Sequence, residues 1–423
     1  MTTTGTDSAD TPQMQIRFVT KEQKYAVPNY PLSVPTTVVI SDLNALVNEL
    51  LKESDLVTQE VEFDFLISSE FLRSSLVEHI GERGISTEQV VDIEYVEKHP
   101  PPEPQDCLIH DDWVSAVAVS GKWILTGCYD NTLHIWTSKG KHILIIPGHT
   151  SPIKAVSWIS VNEENASFVS ASQDQTAIIW DWNITSNSVD CIHICKGHER
   201  GLEAVGVNET GTLMATGSWD TMLKIWSTTA EDDEEGESAS KRMKKDHGKT
   251  KVPKRTLKGH KEALSGVVWT DKTEIVTSSW DHTLKLWDSE LGGIKQEIAG
   301  NKSFFDVDYS PLSRTLITAS ADRHIRLYDS RSKDGAIVKA MFTSHVQWVQ
   351  SVCWSTTDEH LFMSGAYDSN VKLWDTRSPK ASLFDLMGHE DKVLACNWSN
   401  PKLMVSGGSD NTVRIFKAKN SNR

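Results

Sequence analysis

One aspartate recurs seven times in this chain inside the same short pattern, and that recurrence limits the possible folds more than any other feature. The segments LTGCYDNTLHIW (Leu125–Trp136), VSASQDQTAIIWD (Val169–Asp181), ATGSWDTMLKIW (Ala215–Trp226), VTSSWDHTLKLWD (Val276–Asp288), ITASADRHIRLYD (Ile317–Asp329), MSGAYDSNVKLWD (Met363–Asp375) and VSGGSDNTVRIF (Val405–Phe416) align without gaps. They share Asp130, Asp174, Asp220, Asp281, Asp322, Asp368 and Asp410, spaced 44, 46, 61, 41, 46 and 42 residues apart. Gly-His pairs precede most units: Gly148-His149, Gly197-His198, Gly259-His260 and Gly388-His389. Degenerate versions are Ile109-His110, Gly300-Asn301 and Ser344-His345. A period of this size means one supersecondary unit, repeated because no single copy can bury its own apolar face.

Each part of the unit has a mechanical reason. Small residues before the acid allow close packing within a blade. The acid caps a tight turn by accepting backbone N–H groups that lack other partners. The alternating run after it reads as a half-buried strand ending in a large aromatic. Histidine, hydroxyl, acid and tryptophan together can form a buried relay that satisfies its own polar groups. Over about three quarters of the chain these features resemble the WD-repeat family. The resemblance implies an all-β fold, a seven-bladed β-propeller, here assigned to residues 105–418 with a tail at 419–423. The last unit stops after its third strand, so its fourth is expected from Asp106–Ile109, which closes the ring and removes open edges.

The amino-terminal part reads differently. Residues 1–13 are polar and expected to be disordered. Gln15–Val19 and Lys24–Val27 alternate as a hairpin. Ser41 is the expected N-cap of a helix with an apolar stripe at Leu43, Leu46, Val47, Leu50 and Leu51. Val61–Ile67 and Val90–Glu97 read as strands, with a short turn through Ser75–Ile80. The order implies a small α+β ubiquitin-like β-grasp domain over 14–97. It ends without Gly-Gly, so conjugation is not expected and docking is. The Pro-rich segment at 98–104 reads as a stiff, extended spacer.

Composition excludes several classes. A formal charge of −15 does not suit a surface devoted to nucleic acid. No run of 18 apolar residues suggests a membrane span, and no secretory leader is expected from the first residues. Six scattered cysteines read as reduced thiols. No phosphate-binding loop, zinc-protease helix or nucleophile elbow appears, so neither an enzyme nor a cofactor is expected. Cys191, His193, Cys195 and His198 have the residue types of a zinc site. Three of them fall on one face of a strand, however, whereas zinc pairs usually come from turns.

Two surface features point to interaction. The long interval holds an insertion at 228–254, read as disordered, with an acidic block followed by Lys241, Arg242, Lys244, Lys245, Lys249, Lys251, Lys254 and Arg255. Extended basic clusters suit nuclear import, and RNA contact is the lesser reading. Tyr129, Trp219, Trp280 and Tyr367 immediately precede turn acids, while Trp113 and Trp348 follow the blade histidines by three residues. Aromatics gathered on one rim are usual anchors of a protein interface.

The segments FDFLI (Phe63–Ile67), FLR (Phe71–Arg73), IEYVEK (Ile93–Lys98) and HDDWVSAV (His110–Val117), with the domain order, sharpen the resemblance. They resemble the ribosome-biogenesis WD-repeat family with a Notchless-like amino-terminal domain that joins Pescadillo and the Bop propeller protein. That resemblance implies a non-enzymatic scaffold on the pre-60S particle in the nucleolus and nucleoplasm. It also implies that Glu88 ligates, in trans, the metal ion of the Midasin ATPase that removes the factor. The alternative from another class is a substrate receptor of a ubiquitin ligase, although no ligase-binding helix is visible.

Overall fold

The computed structural model describes residues 12–54, 59–85, 89–229, 249–329, 331 and 338–418. They form two compact units.

The first unit is a five-stranded sheet with two helices. Its strands are β1 (Gln13–Val19), β2 (Leu32–Pro35), β3 (Phe63–Ile67), β4 (Glu70–Phe71) and β5 (Val91–Glu97), and its helices are α1 (Ile40–Glu53) and α2 (Leu76–Arg83). The order is β2-β1-β5-β3-β4, with β1 and β5 parallel and the other neighbours antiparallel, the arrangement of a β-grasp fold. Strand alternation turns Met14, Ile16 and Phe18 inward, and the α1 stripe buries Leu43, Val47, Leu50 and Leu51 against them. The opposite edge of α1 is tied down by amides. Asn44 exchanges bonds of 2.7 and 3.0 Å with the Phe63 backbone, and Asn48 does the same with Val61 at 3.0 and 2.8 Å.

Three local expectations are corrected here. The partner of β1 is Leu32–Pro35, not Lys24–Val27, where the chain makes a 3-10 turn at Gln23–Tyr25. Pro28 and Pro31 lack the N–H a ladder needs, so pairing begins only after them. Helix α1 starts one residue before Ser41, with Val39 as its cap residue, and the Asp42 carboxylate accepts the Val39 N–H at 3.2 Å. The segment from Ser75 is a helix rather than a turn. Glu78 accepts the Ser75 N–H at 3.2 Å, and Gly84 ends the helix in the left-handed region.

The second unit is seven sheets arranged as blades, each built on four antiparallel strands a to d, in chain order in blades 1 to 6. The d strand of blade 7 is Glu103–Ile109, longer at its start than Asp106–Ile109. It pairs antiparallel with Thr412–Lys417, matching Ile109 to Thr412 and Leu108 to Val413. Two glycines show why small residues precede the acid. A Cβ on Gly127 would stand 2.6 Å from Ile153 of blade 2, and one on Gly407 would stand 2.7 Å from Val114 of blade 1. The second contact is part of the closure of blade 7 on blade 1.

All seven turn acids act alike on the backbone. Each accepts the N–H of the residue two positions on, over 2.9–3.2 Å. The intervening residue always has positive φ, including Thr221 at 70°. The relay beyond the turn is complete in four blades. In blade 2, His149 joins Asp174 at 2.8 Å and Ser170 at 2.8 Å, and Trp180 donates to Ser170 at 2.9 Å. Blades 3, 4 and 6 repeat this through His198, His260 and His345. Blade 7 keeps His389–Asp410 and Ser406 but has Phe416 in place of tryptophan. Blade 5 has Asn301 at the Gly-His position, and Arg326 binds Asp322 and Ser320 in place of a relay histidine.

The insertion does not run free to residue 254, as the sequence suggested. Lys249–Lys251 is a strand lying parallel to the outer strand of blade 2, with His193 opposite Lys249 and Cys195 opposite Lys251. Lys251 is buried, and its Nζ donates to the Thr229 carbonyl at 2.6 Å. An exposed d-strand edge supplied the backbone partners that this basic stretch could not find within itself.

Candidate functional site: the aromatic rim of the propeller

The turn acids fix where the rim aromatics stand, because each of four aromatics is the residue just before its acid. The backbone of Tyr129 donates to the Trp113 carbonyl at 3.0 Å, and that of Tyr367 to the Trp348 carbonyl at 2.8 Å. Their rings pair: Trp113 with Tyr129 at 5.2 Å between centroids, and Trp348 with Tyr367 at 5.8 Å. Trp219 and Trp280 of neighbouring blades meet at 5.6 Å. Exposure separates the six. Trp113, Trp219 and Trp348 are 41%, 37% and 49% exposed, while Tyr129, Trp280 and Tyr367 are half-buried and pack beneath or beside them.

Below the rim is a cavity of about 240 Å³ lined by strand-a residues of all seven blades, the mouth of the central channel. Sequence reasoning missed its most polar members. Lys154 lies 3.0 Å from Glu203 and donates to the Tyr129 hydroxyl at 3.1 Å. The Trp219 indole N–H donates to the other Glu203 oxygen at 3.0 Å. Burial opposes the Lys154 charge, but Glu203 and Tyr129 outweigh it and raise the lysine above its usual range. A cation within an otherwise apolar strand-a pattern, IKAVSW, was the available signal. Phe305 packs against Trp348 at 5.6 Å, and Lys392 stands over the Tyr367 ring at 5.3 Å. The face therefore offers three projecting indoles held by a rigid, charge-compensated base.

The turn acids stand behind the rim as structure. Burial alone would raise the carboxyls of Asp174 and Asp368, but the histidine and turn N–H bonds more than offset it, and both fall to about 2. Asp220, Asp281 and Asp410 are lowered in the same way.

The remaining predicted residues lie elsewhere. Lys249 and Lys251 lie in the short strand of the insertion, Lys254 follows it, and Arg255 opens the outer strand of blade 3 and binds the Glu290 carbonyl. Lys241, Arg242, Lys244, Lys245 and Glu88 lie outside the described residues. Cys195 and His193 are buried on one face of the blade 2 outer strand, and none of the six cysteines forms a disulfide. No described helix is long and apolar enough to cross a membrane.

Comparison with known proteins agrees with this layout. The profile of the NLE (NUC135) domain matches residues 14–80. The profile of the WD domain, G-beta repeat, matches seven segments between 103 and 417. A "Ribosome biogenesis protein WDR12 homolog" from Aedes aegypti is 58% identical over 409 residues, 96% of each chain. The chain belongs to this WDR12 family of ribosome biogenesis proteins. Members from Drosophila erecta and Anopheles gambiae are 58% and 56% identical, covering 96% and 97% of this chain and 96% of their own. The WDR12 family layout, an NLE domain followed by seven WD repeats, is thus present almost end to end. A role in ribosome biogenesis follows from membership.

Proposed function

We propose that this chain is a non-enzymatic scaffold for maturation of the large ribosomal subunit in the nucleolus and nucleoplasm. Its propeller binds a Bop-type partner, and through it Pescadillo. The observation that carries this reading is the set of three exposed indoles, Trp113, Trp219 and Trp348, anchored on one rim. Indoles that keep a third or more of their surface in water, on a base that cannot relax to cover them, gain most from a partner. The β-grasp domain is the handle for removal. Glu88 completes the coordination of a hard divalent ion on the Midasin ATPase, for which a carboxylate oxygen is the suitable donor.

The test is affinity purification from cells expressing wild type, the triple variant Trp113→Ala, Trp219→Ala and Trp348→Ala, or Glu88→Ala. Wild type should recover Bop, Pescadillo and large-subunit proteins. The rim variant should lose Bop and Pescadillo while keeping its melting temperature. Glu88→Ala should keep both, lose chelator-sensitive binding of Midasin, and accumulate on pre-60S particles. Recovery of cullin components in place of ribosomal proteins would overturn the scaffold reading.

A further inference from the structure

Blade 1 departs from its six siblings at linked positions. Where the others carry Ser172, Ser218, Ser279, Ser320, Ala366 and Gly408, it has Cys128. Four residues after the acid the others have one isoleucine and five cations, Lys224, Lys285, Arg326, Lys372 and Arg414, whereas blade 1 has His134. Its relay is also rearranged. In blades 2, 3, 4, 6 and 7 the turn acid takes Nδ1 of the blade histidine at 2.7–2.9 Å. Blade 1 keeps the turn bonds from the Thr132 N–H and hydroxyl to Asp130, at 2.9 and 2.7 Å, as blades 2, 4 and 7 keep theirs, but it has no bond from the blade histidine to the acid. His110 Nδ1 is left buried with no hydrogen-bond partner among the described residues, while its Nε2 bonds the Thr126 hydroxyl at 2.9 Å.

These departures converge on one place. One ligand atom from each of His110, Cys128 and His134 lies within 4.8 Å of the other two, and all three residues are buried. We propose that they form a structural site for a zinc-class divalent cation. One thiolate and two imidazoles are the donor set that this ion prefers over the oxygen-seeking magnesium and calcium. Nitrogen and sulfur donors around tetrahedral zinc stand about 3.3–3.8 Å apart, so closure needs movements of only about 1 Å. The fourth donor depends on which His134 nitrogen ligates: Asp130 Oδ2 stands 4.0 Å from its Nε2, and His142 Nε2 stands 3.2 Å from its Nδ1. On binding, Cys128 releases its thiol proton to solvent, and the metal takes the lone pair that this proton occupied. The ion would stabilise blade 1, where the ring closes, in place of the missing His–Asp bond.

The siblings supply the controls. Cys128→Ser installs the residue found in four other blades, and His134→Lys the one found in three, so both variants should fold. Full-length protein grown with zinc chloride and purified without chelator is measured by mass spectrometry for metal and by circular dichroism for folding. Cobalt chloride is then added to metal-free protein. Wild type should hold one zinc per chain, and its cobalt form should show tetrahedral visible bands with a near-ultraviolet thiolate charge-transfer band. Cys128→Ser should lose that band, and either variant should weaken zinc binding by at least about tenfold. Zinc-free wild type, or a cobalt spectrum unchanged in Cys128→Ser, overturns the proposal.

Discussion

Lys154 of blade 2 and Glu203 of blade 3 form an ion pair of 3.0 Å at the mouth of the channel, and each also holds a rim aromatic. Lys154 reaches Tyr129, and Glu203 receives the Trp219 indole N–H. The chain Tyr129–Lys154–Glu203–Trp219 thereby couples blades 1, 2 and 3. A charge pair below the surface sets how the aromatics above it stand. Removing one partner of such a pair leaves an uncompensated buried charge, whereas removing both does not.

Lys154→Met should therefore destabilise the propeller by roughly 3 kcal/mol. Lys154→Met with Glu203→Leu should recover at least half of that loss. Chemical-denaturation midpoints of the two single variants, the double variant and wild type check this. Additive losses would mean that the pair does not couple the blades.

The turn acids give the fold an acid limit of known sign. Asp174 and Asp368 have folded-state values of about 2 against an ordinary 3.8. Folded pKa values below the unfolded ones mean stability that is fully present above about pH 4 and lost as pH falls toward 2. Each acid contributes roughly 2 kcal/mol at neutral pH through this linkage. Asp174→Asn should thus lower the melting temperature at pH 7, and its difference from wild type should shrink below pH 4. A difference that stays constant down to pH 2 would show that the carboxylate charge is not the source.

Ring closure rests on Glu103–Ile109. A chain beginning at Trp113 leaves the Thr412–Lys417 edge without its ladder, and exposed edges of this kind aggregate. It should elute as soluble aggregate or precipitate, whereas a chain beginning at Pro100 should be monodisperse. Equal melting temperatures for the two would remove the strand from its structural role.

The two basic clusters of the insertion should behave differently. Neutralising Lys241, Arg242, Lys244 and Lys245 should shift a fluorescent fusion toward the cytoplasm without changing the melting temperature. Lys251→Gln should lower stability by about 1 kcal/mol or more, because the buried Lys251 position loses its charge-assisted bond to the Thr229 carbonyl. Unchanged nuclear accumulation of the first variant, expressed without its partners, would refute the import role.

Much of the fold was legible because its determinants are local. The bond from Asp220 to the N–H of Met222 spans two residues, so each acid marks its turn within its own segment. The helix at Ser75 was equally local and was missed although Glu78 stood at the capping-box spacing, because its apolar stripe is only two turns long. The basic stretch at Lys249–Lys251 was misread for the opposite reason. Its partner strand lies more than fifty residues away, and nothing in its own composition announces pairing.

By itself the sequence determined the number of blades and the position of every acid-capped turn in them, since those follow from short-range hydrogen bonding and side-chain period. Only the tertiary structure decided which anchors face water. Trp219 and Trp280 occupy the same place in adjacent repeats, yet one is exposed and the other half-buried, because each indole is covered by whatever the next blade presents. The same holds for His110. It precedes its turn acid as the other blade histidines do, but its Nδ1 is not bonded to Asp130, and the imidazole lies near Cys128 and His134 instead. Such choices depend on several side chains competing for one donor or acceptor in space, and a linear pattern does not record that competition.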